Sequence, residues 1–409
     1  MDIHADRLWN RLMALGQIGS YPDGSITRLS CTKEDGLARD WLIGEMTAAG
    51  LEVYVDAVGN VIGRLSGEDA NAPAVLTGSH YDTVRHGGRF DGTLGLLSSL
   101  EAVQTIIEQK KKVRHTIYVI GYKDEEGNRF GFGMTGSRCI AGIMDPEGLE
   151  AKDSDGITMK EAMAQAGYTP ADYQTCKISP VKCSIELHIE QATVLDREGL
   201  SLGIVEGIAH LLLYQIKITG HSGHAGANPM KGRRDPVVAM SEWICAVTKE
   251  ASKEKYCVAT IGTIQASPGS FNVICESVTF SLDIRSMSVD EIHACLKRMD
   301  DIQEEIEKRH GVMIERTLVQ ELKGCPCDEP MKNRLEDIMA RNSIPHKRLM
   351  SGAGHDSQNY NGICPCAMIF VRSIDGYSHR KEEYSTPEDC ANGAQVLYEM
   401  LLAEAGEIR

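Results

Sequence analysis

The stretch GSHYDTVRHGGRFDG, residues 78–92, places two imidazoles and two carboxylates on a segment too rich in glycine for a helix or a strand. These side chains belong to His80, Asp82, His86 and Asp91. Imidazole and carboxylate groups are the ligands that divalent cations bind in proteins. The stretch therefore indicates either a metal site or a polar surface turn, and the remaining sequence is needed to distinguish them.

Three further polar clusters accompany apolar segments. DEE, residues 124–126, comes just after the apolar segment HTIYVIGY, and His379 follows AMIFVRS in the segment IDGYSH. The alternating segment CSIELHIEQ places Glu186, His188 and Glu190 on one face of a predicted strand. Chemically competent groups therefore recur at the ends of predicted strands.

The alternation of strands and helices predicts an α/β fold, with a mixed, largely parallel sheet and helices on both faces. Functional groups in such sheets collect beyond the carboxyl ends of the strands. We therefore expect the four clusters to converge. Asp91 is predicted at the N-terminal end of the helix that begins TLGLL, where an acidic side chain is favoured.

With 409 residues, the chain is too long for one simple core. The sequence pattern of residues 213–327 differs from that of the flanking residues, because it indicates alternating strands and two amphipathic helices. This pattern predicts an inserted, smaller α+β domain. Residues 1–212 and 328–409 then form a discontinuous catalytic domain. The inserted domain is a candidate lid over the clusters.

The chemistry that suits these clusters is hydrolysis by two metal ions. Two divalent cations about 3.5–4 Å apart share a bridging carboxylate and lower the pKa of a water molecule. A carboxylate that binds neither cation can accept the proton of that water. Neighbouring residues of the DEE segment could divide the roles of ligand and base.

The composition excludes several classes of partner. A net charge of −15 and a pI near 5.4 argue against nucleic acid and anionic membranes. No apolar run approaches the roughly 18 residues of a membrane span. The charged N-terminal segment predicts an amphipathic helix, with Leu8, Leu12 and Leu15 at helical spacing, and not a signal peptide.

The 13 cysteines include two CPC triplets, Cys325 to Cys327 and Cys364 to Cys366. One intervening residue is tighter than the usual zinc-binding spacing, so we expect reduced, partly buried thiols. Such cysteine usage predicts a cytoplasmic protein.

Seven ordered motifs carry a family resemblance that covers nearly the whole chain: GSHYDTVRHGGRFDG, DEEGNRFGFGMTGSR, ELHIEQ, GHSGHAGANPMKGRRD, FNVI, SGAGHDS and YSHRKEE. Together they resemble the carbamoylase branch of the di-metal aminoacylase/peptidase (M20-type) clan. That branch contains N-carbamoyl-L-amino acid amidohydrolases, allantoate amidohydrolases and β-ureidopropionases.

The resemblance implies roles for individual residues. The metal ligands would be His80, Asp91, Glu126, His188 and His379, with Asp91 bridging both ions. Glu125 would be the general acid/base, and Asp82 would orient a ligand. His86 matches no ligand of the family.

The resemblance also implies substrate contacts. Gln191 would contact the ureido group, His224 would stabilise the oxyanion, and Asn272 would contact the substrate amide or carboxylate. Arg285 would clamp the substrate carboxylate, and Gly352 in SGAGHDS would also line the substrate site. In the family the inserted domain forms a homodimer. Without the resemblance, Asn272 is a turn residue, Arg285 a surface arginine and His224 a structural histidine.

Three positions depart from the family pattern. Ala192 follows HIEQ where glycine is usual, Cys275 follows FNVI where proline is common, and His210 replaces a smaller residue. These departures lie close to the expected substrate cleft, so they bear on the substrate more than on the chemistry.

The sequence thus predicts a hydrolase that cleaves the carbamoyl C–N bond of N-carbamoyl-L-amino acids, giving the L-amino acid, carbon dioxide and ammonia. Allantoate is the alternative substrate, and a metallo-aminoacylase or dipeptidase is an alternative enzyme with the same site. Mn²⁺ is the favoured cofactor, with Zn²⁺, Co²⁺ or Ni²⁺ as further candidates.

Overall fold

The computed structural model describes residues 1–408, which contain ten α-helices and eighteen β-strands. The helices are α1 (Ala5–Leu15), α2 (Lys33–Ala48), α3 (Thr93–Glu108), α4 (Thr135–Ala141), α5 (Met159–Gln165), α6 (Val194–Glu198), α7 (Pro236–Ala251), α8 (Val289–His310), α9 (Glu329–Arg341) and α10 (Pro387–Ala405). The strands are β1 (Glu52–Val55), β2 (Val61–Leu65), β3 (Ala74–His80), β4 (Lys112–Val113), β5 (Ile117–Tyr122), β6 (Val181–Ile189), β7 (Leu202–Ile208), β8 (His210–Thr219), β9 (Gly223–His224), β10 (Val258–Thr260), β11 (Ile264–Ser267), β12 (Val273–Ile274), β13 (Ser277–Ser286), β14 (Met313–Leu322), β15 (Cys325–Pro326), β16 (His346–Ser351), β17 (Cys366–Val371) and β18 (Glu407–Ile408).

Contacts divide the chain into two units. The first contains Met1–Gly207 and the residues from Cys325 onward, and the second contains Ile208–Gly324. The sequence-based boundaries at 213 and 327 differ from these by a few residues. The apolar run of residues 211–213 hides the alternation by which the beginning of β8 would be recognised.

The first unit is built on a nine-stranded mixed sheet with the order β1-β2-β5-β3-β6-β17-β7-β15, in which β16 pairs with β7. The four adjacent strands β5, β3, β6 and β17 run parallel to one another. Antiparallel pairs flank them on both sides, β2 with β5 and β17 with β7. The predicted α/β fold with a mixed sheet is confirmed, and its parallel part consists of these four strands.

Strand β6 shows how the alternation of its sequence produces two different faces. Ile185 and Leu187 lie in the hydrophobic core that α1, α3 and α10 share. Glu186 faces the other way and accepts a hydrogen bond from the backbone N–H of Ser357, in the 3-10 turn Asp356–Tyr360. One face of the sheet is therefore apolar, and the other carries polar groups toward its carboxyl end.

Helix α3 begins directly after a glycine. The residue before the first turn is Gly92, which provides no side-chain cap and has a φ of 63°, whereas Asp91 lies one residue earlier. Glycine is required there because a Cβ would lie 2.5 Å from the ring of His80. Asp91 lies at the N-terminal end of α3, as expected, but its side chain turns toward the imidazoles described below and does not cap the helix.

The second unit is an antiparallel sheet with two helices. Its strand order is β10-β13-β8-β14, and β11 also pairs with β13. The alternate residues of β13 are buried in a core with α7 and α8, where Trp243 lies edge-on to Phe280 with ring centroids 5.3 Å apart. The predicted α+β character of this segment is confirmed.

The helices agree with two further expectations. Helix α1 buries Leu8, Leu12 and Leu15, as its spacing predicts. Within residues 1–408, no helix is both long and apolar enough to span a membrane.

Candidate active site

The carboxyl ends of the four parallel strands bring the polar clusters of the first unit together. Strand β3 ends at His80 and β6 carries His188 next to its last residue. The loop after β5 carries Glu125 and Glu126, and the segment after β17 carries His379. Since the strands are parallel neighbours, these side chains meet at one edge of the sheet.

Asp91 lies at the centre of this cluster. Its Oδ1 is 3.2 Å from Nε2 of His188 and 3.8 Å from Nε2 of His80. Its Oδ2 is 3.1 Å from Nε2 of His379, which is also 3.5 Å from Oε1 of Glu126. The carboxylate therefore contacts histidines from three separate parts of the chain.

Two sets of possible ligands share Asp91. The potential ligand atoms within each set lie within 4.8 Å of one another: His80, Asp91 and His188 in the first, and Asp91, Glu126 and His379 in the second. A third set consists of His80, Glu125 and Glu126. Two sets that share one carboxylate fit a pair of cations with a bridging ligand.

The orientation of the histidines also fits metal ions. Nδ1 of His80 lies 3.1 Å from the backbone oxygen of Asp82, and Nδ1 of His188 lies 3.0 Å from that of Ile189. A carbonyl only accepts, so each Nδ1 carries a proton. Each Nε2, directed at Asp91, is the nitrogen available to a cation.

The imidazoles and Asp91 shift each other's proton affinities. Burial alone would raise the pKa of Asp91, but hydrogen bonds from His188 and His379 outweigh it and hold this pKa well below its usual value. Burial would lower the pKa of His188, yet the hydrogen bond to Asp91 raises it to about 9. The site thus favours a positive charge beside Asp91, which a metal ion supplies in place of the proton.

The pKa values of the two glutamates also indicate that the site favours a positive charge. Burial, together with the neighbouring Glu126 and Asp356, raises the pKa of Glu125 well above its usual value. Burial and the charge of Asp91 do the same for Glu126. A bound divalent cation favours the ionised form of such carboxyl groups.

Asp82 supports both sides of the cluster. Its two carboxylate oxygens accept hydrogen bonds from the backbone N–H groups of Glu125, at 3.1 Å, and Glu126, at 3.2 Å. Its Oδ1 also lies 3.7 Å from Nδ1 of His80. This one buried side chain therefore holds the DEE segment beside the end of β3.

Gln191 lies against Asp91. Its Nε2 donates to both carboxylate oxygens of Asp91, at 3.3 and 3.2 Å, and to Oγ of Ser378 at 3.0 Å. The predicted contact of Gln191 with a ureido group stays a prediction, but its amide lies among the possible ligands.

His86 stays outside the cluster. Its Nδ1 lies 3.0 Å from Oγ of Ser25, and its ring lies 4.8 Å from that of Tyr21. The expectation that His86 is not a ligand agrees with this position.

Three predicted substrate contacts belong to the second unit. His224 and Asn272 lie on neighbouring segments, because Val273 of β12 pairs with His224 of β9. Nδ1 of His224 accepts from the backbone N–H groups of Gly226 and Ala227, at 3.2 and 3.1 Å. Its ring proton therefore lies on Nε2, which makes Nε2 a hydrogen-bond donor.

The guanidinium of Arg285 binds Asp283, two residues earlier on β13. Nε and one terminal nitrogen donate to the two oxygens of Asp283, both at 2.8 Å. The ion pair holds Arg285 in a fixed orientation and raises the pKa of its guanidinium.

Among the positions that depart from the family pattern, His210 has a charged partner. Nε2 of His210 lies 3.1 Å from Glu321, so this histidine joins the strands β8 and β14. Ala192 and Gly352 are exposed, and a Cβ at Gly352 would meet nothing within 4 Å. Steric crowding therefore does not explain the glycine at position 352.

Two residues of the cluster were missed at the sequence level. His355, in the motif SGAGHDS, is buried with its ring 4.5 Å from that of His188. Glu383 is buried beneath Asp91, although its sequence, HRKEE, is typical of a solvated run of charges. The sequence feature that could have identified Glu383 as part of the cluster is its position four residues after His379.

The two CPC triplets meet in the first unit. The neighbouring thiols of Cys325 and Cys364, together with burial, raise the pKa of the Cys366 thiol well above its usual value. All thirteen cysteines are free thiols, and Cys325, Cys327 and Cys366 are buried. The expectation of free, partly buried thiols is confirmed.

Sequence comparison gives the class of protein to which this site belongs. The model of Peptidase family M20/M25/M40 matches residues 76–403. The chain therefore belongs to this family.

Individual relatives are more specific. The chain is 45% identical to the N-carbamoyl-L-amino acid amidohydrolase of Geobacillus stearothermophilus, over 97% of both chains. It is 33% identical to the allantoate amidohydrolase of Bacillus subtilis, over 95% of this chain and 94% of the relative. The crystal structure of an amidase of the hydantoinase/carbamoylase family from Burkholderia multivorans matches with a TM-score of 0.91 and 34% identity, over 98% of both chains.

Proposed function

We propose that this protein is a metal-dependent amidohydrolase that cleaves the carbamoyl C–N bond of N-carbamoyl-L-amino acids. The observation that carries the proposal is the position of Asp91 between three histidines and beside the DEE segment. The similarity to an N-carbamoyl-L-amino acid amidohydrolase over almost the whole chain supports the substrate class.

Two cations would be held by the sets that share Asp91. His80 and His188 would complete the first, and Glu126 and His379 the second. Mixed nitrogen and oxygen donors suit Mn²⁺, and also Zn²⁺, Co²⁺ or Ni²⁺. When bound, the ions would polarise the substrate carbonyl and lower the pKa of the attacking water.

Glu125 would move the proton. It belongs to neither set that shares Asp91, and its Oε2 lies 3.9 Å from Nε2 of His80. A carboxylate beside the two ligand sets suits a group that accepts a proton from water and then donates it to the leaving nitrogen. The hydrogen bond from its backbone N–H to Asp82 would keep Glu125 in place for both transfers.

The second unit would supply the contacts to the substrate. Nε2 of His224 carries the ring proton and would donate to the oxyanion of the tetrahedral intermediate. Arg285, held by Asp283, would bind the substrate carboxylate, and Asn272 would contact its amide. In the first unit, Gln191 and Gly352 would contact the ureido group and line the site.

The products follow from the bond that is cleaved. Water adds to the carbamoyl carbon, the bond to the α-nitrogen breaks, and that nitrogen receives the proton from Glu125. The released carbamate decomposes to carbon dioxide and ammonia, leaving the free L-amino acid.

We further propose a homodimer formed through the second unit and a cytoplasmic location. Strand β14 is at one end of the five-stranded sheet and exposes Met313, Leu318 and Val319, which supports an interface there. The free thiols support a reducing compartment. Light scattering coupled to size exclusion should give twice the chain mass, and Val319→Lys should give the monomer.

A substrate panel tests the catalytic proposal. Purified enzyme is stripped with a chelator, reloaded with Mn²⁺ and assayed with an N-carbamoyl-L-amino acid, its D enantiomer, allantoate, an N-acetyl-L-amino acid and a dipeptide. We expect the highest kcat/KM for the N-carbamoyl-L-amino acid. Preference for allantoate would favour the second candidate, which the 33% identical relative supports. Preference for the dipeptide would contradict the proposal.

A further inference from the structure

The carboxylate of Glu383 binds the backbone of the segment that carries Asp91. Its Oε1 accepts hydrogen bonds from the N–H groups of Phe90, at 2.7 Å, and Asp91, at 3.0 Å. Glu383 is buried, with 4% of its surface exposed. These bonds join two parts of the chain that lie 292 residues apart.

The loop is shaped around this carboxylate. A Cβ at Gly88 would lie 2.3 Å from Cδ and 2.4 Å from Oε1 of Glu383. The next residue, Tyr384, lies edge-on to Phe90, with ring centroids 5.9 Å apart. Close packing and hydrogen bonds therefore fix the Asp91 segment against the segment that follows His379.

We propose that Glu383 is a positioning residue for the metal site, because it fixes the backbone at Asp91 so that one carboxylate reaches both cations. It acts on this segment through the backbone N–H groups of residues 90 and 91. Because His379 is four residues away in sequence, the same contact also sets the distance between His379 and Asp91. The inference rests on the proposed two-metal site.

The geometry allows the effect of the length of the Glu383 side chain to be tested separately from the effect of its charge. Both hydrogen bonds converge on one oxygen, which the amide of glutamine also provides. Aspartate keeps the charge but is shorter by one methylene, so it would not reach both N–H groups. Glu382 provides a matched control, since it is the adjacent glutamate, is exposed and pairs with Arg380.

The test measures metal retention by Glu383→Gln, Glu383→Asp, Glu383→Ala and Glu382→Ala. Each protein is loaded with Mn²⁺ and dialysed, its metal content is counted, and the release of metal to a fluorescent chelator is timed. We expect Glu383→Asp and Glu383→Ala to bind Mn²⁺ at least about tenfold more weakly, as is typical when a group that orients ligands is lost. Glu383→Gln should stay within about threefold of the wild-type protein, and Glu382→Ala should match it.

Two further measurements separate positioning from folding. Gly88→Ala should reproduce the loss of metal seen with Glu383→Asp, because its methyl group displaces the same carboxylate. Melting curves of the chelated proteins should place Glu383→Gln and Glu383→Asp close together, so that only metal affinity distinguishes them. Wild-type metal affinity in Glu383→Asp, or equal losses in Glu383→Gln and Glu383→Ala, would overturn the inference. A wild-type protein that binds no metal would instead refute the proposed function.

Discussion

Asp82 accepts the backbone N–H of Glu125 at 3.1 Å, so the proposed base is held in place by a residue from another strand end. The adjacent N–H of Glu126 binds the other oxygen of the same carboxylate. A base and a proposed ligand therefore depend on one buried side chain.

Replacing Asp82 should disturb both residues at once. We expect Asp82→Ala to lower kcat/KM by roughly 10- to 100-fold and to weaken metal binding, because two backbone donors lose their acceptor. Asp82→Asn keeps one acceptor and should fall between Ala and wild type. Steady-state kinetics and metal counting check this, and an Asp82→Ala protein with wild-type kinetics would contradict the supporting role.

Substitutions of Glu125 and Glu126 should have different effects. Glu125→Gln should lower kcat by about 10²–10⁴-fold with its metal content unchanged, since proton transfer is lost and the ligands remain. Glu126→Gln should instead lose metal. Metal analysis beside kcat for both variants provides the comparison, and unchanged turnover in Glu125→Gln would refute the assignment of the base.

Arg285 should govern the recognition of the substrate carboxylate. Losing a charge-assisted hydrogen bond costs about 1.5–3 kcal/mol, so Arg285→Ala should lower kcat/KM by roughly 10- to 100-fold, mainly through KM. The substitution should have little effect on kcat/KM for a substrate analogue in which an uncharged carboxamide replaces the carboxylate. An equal loss with acid and amide substrates would remove the clamp from the mechanism.

Metal removal should affect activity and stability together. Exhaustive chelation should abolish turnover, and Mn²⁺ should restore it. A ligand bound at 100 times its Kd stabilises the native state by about 2.7 kcal/mol, so added Mn²⁺ should raise the melting temperature. Mg²⁺ at the same concentration is the control, since it prefers an all-oxygen site. Full activity after chelation would exclude the two-metal proposal.

One thiol should react before the others. Cys245 is exposed on α7, whereas burial raises the pKa of Cys183, Cys327 and Cys390 and keeps those thiols protonated. At pH 8 we expect Cys245 to be alkylated roughly tenfold faster than these buried thiols. Cys245→Ser should remove the fast phase, as judged by mass spectrometry of native protein sampled over time.

The sequence predicts the strand ends of the site because their signals are local. The alternation in β6 identifies the face of His188, and the apolar segments before His80 and DEE locate the ends of β3 and β5. Parallel pairing then requires these ends to meet. The cluster could therefore be predicted before its distances were known.

Other contacts could not be predicted because they depend on the packing of distant segments. Glu383 resembles a surface charge in sequence, and only the loop that folds over it makes it buried. Asp91 occupies a helix-capping context in sequence, yet the histidines from β6 and the C-terminal segment compete for its oxygens. When a side chain has two possible partners, its actual partner can be identified only once the positions of both are known.

The order of the ligands along the chain has a consequence for biosynthesis. Strand β17 lies inside the sheet between β6 and β7, and His379 and Glu383 come after it in the chain. A nascent chain that has emerged only as far as residue 360 contains His80, Asp91 and His188, but lacks an interior strand and the last proposed ligand. In the proposed two-metal site, the second cation would therefore gain its full ligand set only once translation has delivered the C-terminal segment.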